Sequence, residues 1–195
     1  MRHEHTLTGP AFRLRPVCEE DASFMLMLRR DPTLSRYLHA TPPGEDAQRA
    51  WIERYYQRPG DYYFVIERMH SGEPEGLISL YDIGAEQTEV GEWGRWILRP
   101  LSLAAIESAW LVYRFAFYEL RLQAVYCRTV ADNAAVVSFH DSCGIAERRL
   151  LPGHFEFDQQ RFDAIEHRVD RATWETLGPR LEALAKSTAR RVNRA

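Results

Sequence analysis

The sequence predicts an α/β (α+β) protein that folds as one domain around a mixed central sheet of about seven strands, with helices on both faces. Short segments that alternate between apolar and polar residues predict strands, and longer segments with apolar residues every three or four positions predict helices. Residues 89–145 run in the order strand, tight loop, long amphipathic helix, strand and short helix. This order is typical of a parallel crossover, in which a helix begins near the carboxyl end of a strand.

Length and composition are those of an ordinary globular protein. The chain has 195 residues, of which 45% are hydrophobic and 27% are charged, so a single core is large enough to support the fold. We assign residues 1–175 to the domain and residues 176–195 to a helical, partly frayed tail.

Several classes of function are disfavoured by the composition. The net charge of −3 provides no basic surface for nucleic acid, and no apolar run reaches the ~20 residues that cross a membrane. The N-terminus lacks the apolar segment of a secretory signal. The three cysteines, Cys18, Cys127 and Cys143, have no metal-type spacing, which indicates reduced thiols in a cytoplasmic protein. His3 and His5 lack a third ligand, so we expect no metal site.

The N-terminal half is predicted to form a strand, two helices and a hairpin. The first helix ends at Asp31, because a residue before proline avoids the α-helical region. Apolar residues of the second helix share one stripe: Ala47, Ala50, Trp51 and Tyr55. A further turn is expected near residues 85–87. The predicted elements are the strand Phe12–Val17, the helices Glu19–Arg30 and Glu45–Gln57, and the strands Tyr62–Arg68 and Leu77–Ile83.

The C-terminal half is predicted to contain the crossover and a closing hairpin. Ser102 is the expected N-cap of the long helix, and Gly144 supplies the left-handed end of the short one. The predicted elements are the strand Val90–Leu98, a helix over Leu103–Leu120, the strand Gln123–Thr129, a helix that begins at Asp132 or Asn133, the hairpin strands Arg148–Asp158 and Arg161–Asp170, and the C-terminal helix.

The order of these elements resembles that of the GNAT superfamily of N-acetyltransferases over about Phe12–Trp174. The segments FRLRPVCEEDASFMLMLRRDP, LRRDPTLSRYL, YYFVIE and FDAIEHRVDRATW resemble the branch that acts on ribosomal-protein N-termini and amino-sugar nucleotides. The resemblance implies a single-domain GNAT-like fold and acetyl-CoA as the co-substrate, without a metal.

A cofactor site follows from the same resemblance. It implies that Trp96, Ile97 and Leu98 line the pantetheine arm, and that Asn133 contacts it, although Asn133 is equally well explained as a plain helix cap. The pyrophosphate would lie at the start of the long helix, where unpaired N–H groups and partial positive charge favour anions. The residues concerned are Arg99, Ser102, Leu103, Ala104, Ala105 and Ile106.

The pyrophosphate loop departs from the family pattern. That pattern is Arg or Gln, two residues, Gly, one residue, and Gly or Ala, whereas both glycines are absent here and the loop is about two residues short. Glycine permits close backbone approach and positive φ. The alternative is therefore a loop that only turns the chain.

Two residues are candidates for proton transfer. Glu92 resembles the family glutamate that takes the amine proton through a water, and apolar neighbours would improve it as a base. His140 stands where the family usually has a tyrosine that protonates the leaving thiolate, and an ordinary pKa of ~6.5 would suit that role. The alternatives are a surface glutamate and a histidine that only lines the cleft. Asp82 is a second candidate base, and Tyr81 with Asp82 is an alternative acceptor contact.

These features predict an acetyl-CoA-dependent N-acetyltransferase for a primary amine, such as an amino-sugar nucleotide, whose diphosphate would lie near Arg36, Arg54 and Arg58. The alternatives are a ribosomal-protein N-terminal acetyltransferase and a non-catalytic acyl-CoA-binding module. We expect a small-molecule or peptide amine as partner, no nucleic acid or membrane, and a possible homodimer.

Overall fold

A computed structural model describes residues 2–38, 40–84, 89–157 and 159–194. The described chain forms one mixed sheet with helices on both faces. The strands are β1 (Leu7–Thr8), β2 (Phe12–Pro16), β3 (Tyr62–Arg68), β4 (Pro74–Tyr81), β5 (Val90–Leu98), β6 (Ala124–Val130), β7 (Arg148–Phe157) and β8 (Gln160–Asp170). The helices are α1 (Ala22–Arg30), α2 (Glu45–Tyr55), α3 (Ala105–Arg114), α4 (Ala134–Cys143) and α5 (Arg171–Val192). The turn predicted at residues 85–87 lies outside the described residues.

The sheet has eight described strands in the order β1-β2-β3-β4-β5-β6-β8-β7, compared with the seven expected. β5 and β6 are parallel, and each of the other neighbouring pairs is antiparallel. The additional strand, β1, contains only Leu7 and Thr8. Two residues are too few to show an alternating pattern, so this strand could not be found from periodicity.

A buried carboxylate of α3 fixes the N-terminal edge of the sheet. Oε1 of Glu107 accepts hydrogen bonds from the backbone N–H groups of Ala11 at 2.8 Å and Phe12 at 2.7 Å. A Cβ at Gly9 would lie 2.3 Å from the same oxygen, so glycine is required there. These bonds join the first two strands to a helix that lies 95 residues or more further along the chain.

The crossover helix is shorter than predicted at both ends. Ser102 is not its N-cap, because its Oγ accepts from the N–H of Ala104 at 3.2 Å, and the first helical bond runs from Ser108 N to Ala104 O at 2.9 Å. The α-helix ends at Arg114, and a π-helical turn follows over Phe115–Glu119. An apolar stripe does not distinguish an α-helix from a short π turn, which accounts for the error.

Two hydrophobic clusters lie on opposite faces of the sheet. The larger cluster joins the sheet to α3 and α5 through buried side chains such as Trp93, Tyr113 and Trp174. The smaller cluster joins it to α1 and α2 through Met25 and Ile52. Among the described helices, none is both long and apolar enough to cross a bilayer.

The C-terminal helix is folded and packed, which corrects the prediction of a frayed tail. Asp170 caps it by accepting from the N–H of Thr173 at 2.7 Å, and the helix continues through residue 175, the predicted limit of the domain, to Val192. Apolar residues spaced at i and i+4 give the helix a buried stripe against α3, made of Leu177, Leu181, Ala185, Ala189 and Val192.

A matched pair of substitutions on α5 tests this packing. Leu181 is fully buried, whereas Leu184 is 40% exposed. We expect Leu181→Ala to lower the free energy of unfolding by about 2–5 kcal/mol, because it removes buried methyl groups and leaves a cavity. Leu184→Ala should cost less than about 1 kcal/mol. Urea unfolding measures both, and equal effects would show that α5 does not pack as described.

Candidate active site

The site is built around a separation between β5 and β6. The two strands pair from Val90 opposite Ala124 to Glu92 opposite Tyr126, and no later β5–β6 pair is present in the described chain. β6 instead continues its pairing with β8 up to Val130. The two strands therefore separate after Glu92, which stands at the apex of the opening.

A bulge in β5 helps to turn the strand away. The register with β4 shifts between Leu77 and Ser79, and Arg95 opposite this shift has a φ of 47°. A left-handed conformation is costly for a residue with a side chain. Here the guanidinium group is held by Asp61, 2.7 Å away, and lies 4.3 Å above the ring of Tyr81.

A cavity of 520 Å³ occupies the opening and extends towards α1, α2 and β7. Its lining combines aromatic rings with guanidinium groups. Glu92 is the one acidic side chain among the described residues that line it. The aromatic residues are Tyr37, Trp51, Tyr63, Tyr81, Trp93, Trp96, Phe155 and Phe157, and the arginines are Arg29, Arg54, Arg95 and Arg128.

Glu92 is a buried carboxylate with both oxygens bonded. The hydroxyl of Tyr81 donates to Oε1 at 3.0 Å, and Arg128 donates to Oε2 at 3.2 Å. Burial raises the pKa of Glu92 to about 7, although Arg128 and Tyr81 oppose this shift. A carboxylate that titrates near neutral pH is suited to accept a proton from an amine.

His140 lines the same cavity, but its protonation differs from the expectation. Its ring nitrogens lie 3.5 and 3.8 Å from Sγ of Cys127, and its ring packs 5.2 Å from Trp93. Burial, with a smaller effect from His167, lowers the pKa of His140 to about 3. The assumption of an ordinary pKa was therefore wrong. The neutral imidazole can pass a proton only by accepting one at one nitrogen while donating from the other.

Of the residues proposed to line the pantetheine arm, Ile97 is buried, whereas Trp96 and Leu98 are half-buried and Trp96 also lines the cavity. Trp96 donates from Nε1 to Oγ of Ser108 at 3.3 Å and packs 4.8 Å from Phe139. Ile97 is buried in the cluster with α1 and α2, and Leu98 packs against the opposite cluster. Their backbone groups, rather than their side chains, are the candidates for contact along the β5 edge of the opening.

The loop before α3 contains no glycine. Ser102 N donates to Arg99 O at 3.2 Å, which closes a turn in which Leu101 has a φ of 65° and is 98% exposed. Ala104 is fully buried in the larger cluster. First-turn N–H groups of a helix have no helical partners, so a pyrophosphate at the start of α3 stays a prediction.

The remaining residues of this loop have separate surroundings. The guanidinium group of Arg99 lies 5.6 Å above the ring of Phe24, and Ile106 packs against the larger cluster. Leu103 is 37% exposed and Ala105 is half-buried. Accessible backbone in this loop thus lies beside Leu103 and Ala105.

Asn133 is both a helix cap and a cavity residue. It is the N-cap of α4, and its carbonyl accepts from Val137 N at 3.0 Å. Its side chain makes no capping hydrogen bond and lies in the cavity wall. The backbone of Asn133 therefore caps the helix, whereas contact between its side chain and the pantetheine arm stays a prediction.

Sequence reasoning missed or misplaced several cavity residues. Trp51 was predicted on the apolar stripe of α2 with Tyr55, and it packs against the smaller cluster. It is only half-buried, however, and also lines the cavity, which the stripe did not indicate. Arg128 was overlooked, although a charge inside the otherwise apolar strand β6 was a visible signal.

Comparison with known proteins gives the family. A sequence model of the acetyltransferase (GNAT) domain matches residues 12–146, which is more than half of the 195-residue chain. This chain is a member of the GNAT acetyltransferase family. It is therefore an enzyme, and the non-catalytic alternative is set aside. GNAT domains use acetyl-CoA as a co-substrate, and no group of three or more metal-ligand side chains occurs in the part of the GNAT chain that is described.

Solved structures support the same assignment. FdhC, a nucleotide-linked sugar GNAT, is 28% identical to this GNAT protein with a TM-score of 0.73, and the match covers 89% of this chain and 94% of FdhC. A proposed acetyltransferase from T. thermophilus is 25% identical with a TM-score of 0.78, over 94% of this chain and 98% of that one. A variant of the spermidine N-acetyltransferase SpeG from Vibrio cholerae shares the fold at 18% identity with a TM-score of 0.71. The match covers 84% of this chain and 95% of the SpeG variant. No curated protein matches the sequence.

A pair of aspartate substitutions tests the pyrophosphate loop. Ala105 and Ala172 both lie in the first turn of a helix, α3 and α5 respectively, where a carboxylate is favourable for the fold. We expect Ala105→Asp to abolish CoA binding by repelling the phosphates, and Ala172→Asp to leave binding unchanged. Thermal shift with millimolar CoA measures both. Normal binding by Ala105→Asp would place the pyrophosphate elsewhere.

Glu92 should make the stability of this GNAT protein depend on pH. Its folded pKa of about 7 exceeds the reference value of 4.5, so the native state retains the proton more tightly than the unfolded chain. Stability should therefore fall as pH rises from 4.5 to 7. Glu92→Gln removes this fall, so its free energy of unfolding should rise by about 3 kcal/mol relative to that of the wild type between pH 4.5 and pH 7. Chemical unfolding at pH 4.5 and pH 8 measures the difference, and equal pH dependence would contradict a buried, ionising Glu92.

Proposed function

We propose that this GNAT acetyltransferase transfers an acetyl group from acetyl-CoA to a primary amine on an anionic acceptor, such as an amino-sugar nucleotide. The observation that carries the proposal is the cavity lining, in which four arginines and eight aromatic residues surround the single acidic residue Glu92 among the described lining residues. Reduced thiols at Cys18, Cys127 and Cys143 are typical of the cytoplasm, where we place the reaction.

Acetyl-CoA would supply a thioester whose carbonyl carbon is attacked by the amine. The N–H groups at the start of α3 would bind its pyrophosphate, and the amide of Asn133 would contact its pantetheine arm. Backbone N–H groups of β5 beyond Glu92 are aligned along the opening, where no β6 strand partner takes them up. A donor at that edge would stabilise the negative charge that develops on the carbonyl oxygen.

Glu92 would prepare the acceptor. An amine reacts only in its neutral form, so the ammonium group must first lose a proton. The carboxylate lies at the apex of the opening and is mostly ionised above its pKa of about 7, so it can take that proton directly or through a water. His140, which is neutral, is the candidate to relay a proton towards the departing thiolate.

The charge of the cavity favours an anionic acceptor over a polycation. Arg95 is paired with Asp61, and Arg128 with Glu92 and Glu166. Arg54, which also lines the cavity, is therefore the guanidinium group that we expect to contact phosphate oxygens. The aromatic walls suit a nucleobase or a sugar ring. The similarity to FdhC, a nucleotide-linked sugar GNAT, supports this choice, whereas a spermidine site would need carboxylates in these positions.

The arginines predicted for the diphosphate differ in their placement. Of Arg36, Arg54 and Arg58, only Arg54 is among the described lining residues. Arg58 lies beyond the end of α2 and pairs with Asp61 at 4.0 Å. Arg54 is therefore the candidate for contact with the acceptor, and Arg58 provides a control of the same charge nearby.

Release of free CoA thiol tests the proposed function. We expect turnover with a UDP-linked amino sugar and much less with the free amino sugar, spermidine or an N-terminal peptide. Arg54→Glu should raise KM for the nucleotide sugar by ~10-fold or more, because a charge-assisted contact becomes a repulsion. Arg58→Glu should change KM little.

Other outcomes of this panel identify different acceptors. Preference for spermidine would contradict the anionic acceptor, and preference for the N-terminal peptide would favour the ribosomal-protein alternative. An equal effect of Arg54→Glu and Arg58→Glu would remove the role of Arg54.

A further inference from the structure

Arg128 connects the candidate base to a second buried carboxylate. Its Nε donates to Oε2 of Glu166 at 2.9 Å, and a terminal nitrogen donates to Oε2 of Glu92 at 3.2 Å. The guanidinium group also lies 4.5 Å from the ring centre of Tyr126. One cation is thus held between two carboxylates and above an aromatic face.

The backbone places this cation accurately. Arg128 on β6 is directly opposite Glu166 on β8, so their side chains project from paired positions on one face. Glu166 is only 7% exposed, and its other oxygen accepts from Arg149 at 3.0 Å. Because Glu166 is anchored from both sides, it fixes one edge of the Arg128 guanidinium group and directs the other edge towards Glu92.

We propose that Arg128 is a positioning residue that holds the Glu92 carboxylate at the apex of the opening and maintains its ionised form for proton transfer. This inference rests on the role of Glu92 as the base in the proposed function. Arg128 would not itself touch the reacting atoms. Its function would be to supply the positive charge without which a buried carboxylate stays protonated.

The other groups around Glu92 cannot replace this charge. Titratable side chains face Glu92 from β4, from Asp82 directly after β4, from β6 and from β8. Arg128 is the single cation among the described groups that act on Glu92 directly, and the others are neutral or acidic. The set is Tyr81, Asp82, Tyr126, Cys127, Arg128 and Glu166.

The role of Arg128 is tested by the pH profile of kcat/KM with a verified acceptor. Arg128→Met keeps much of the apolar bulk but removes the charge. The acidic limb of the profile should move up by ~1–3 pH units, so activity at pH 7 should fall by ~5-fold or more and recover at higher pH. The thermal shift caused by CoA should be unchanged.

Arg68→Met is the matched control. The side chains of Arg68 and Arg128 are both 26% exposed and both pair with a buried glutamate. Arg68 bonds to Glu75 at 3.0 Å and is not among the described cavity residues. Arg68→Met should therefore leave the acidic limb of the pH profile unchanged. If the acidic limb moves in both Arg68→Met and Arg128→Met, the shift is a general effect of losing a charge, and the proposal is overturned.

Glu92→Gln separates this inference from the proposed function. If the acidic limb of the pH profile is lost in Glu92→Gln but unchanged in Arg128→Met, Glu92 is the base and the role of Arg128 is overturned. If Glu92→Gln keeps the wild-type profile, Glu92 is not the base and the role of Arg128 fails with it, whereas turnover of the verified acceptor still supports the proposed acetyl transfer.

Arg128→Lys keeps the test decisive if Arg128→Met does not fold. Lysine retains the charge but cannot bridge both carboxylates with the same geometry, so the limb should move in the same direction by a smaller amount. Infrared titration of the Glu92 carboxyl group, identified by its absence in Glu92→Gln, should show the same shift without turnover. Loss of activity with no shift in either measurement would mean that Arg128 is only structural.

Discussion

The loss of pairing between β5 and β6 after Glu92 is the constraint on which the site depends. While the two strands are paired, their backbone groups satisfy one another and leave no room for a ligand. Once β5 bends at Arg95 and β6 follows β8, one edge of each strand becomes available within the sheet. The start of α4 faces this region, since Asn133 lines the cavity. One interruption in a ladder of hydrogen bonds thus creates the opening in which we propose that the coenzyme and the acceptor bind.

Burial and charge act against each other at the apex of that opening. Desolvation favours the protonated form of Glu92, whereas Arg128 and Tyr81 favour the ionised form. The balance keeps the pKa in the range that is useful to a base at neutral pH. At His140 burial dominates and the opposing charge of Asp141 is the smallest of the influences on its pKa, so the ring stays neutral. Glu92 and His140 lie in one cavity, but their neighbours shift the two pKa values in opposite directions.

The loop before α3 shows that backbone geometry can persist without the residue that usually permits it. Leu101 adopts the left-handed conformation that favours glycine and directs its side chain into solvent. Ala104 places its methyl group in the core, so neither side chain covers the first turn of α3. The cost of the left-handed residue is about 1–2 kcal/mol, which a packed scaffold can sustain.

The sequence by itself determined the order of the predicted elements, most of their bounds, the left-handed Gly144 and the position of Glu92 on β5, and it narrowed the N-cap of α4 to Asp132 or Asn133. These features depend on residues close together in the chain, where periodicity and capping chemistry can be read directly. Tertiary structure alone decided the short strand β1, the packing of α5, the orientation of Trp51 into the cavity and the low pKa of His140. Each of these depends on contacts between distant segments, as when Glu107 binds Ala11 across 96 residues. The burial and the pKa of a residue depend on all of its contacts, including those with distant segments. Local sequence patterns do not reveal those distant contacts.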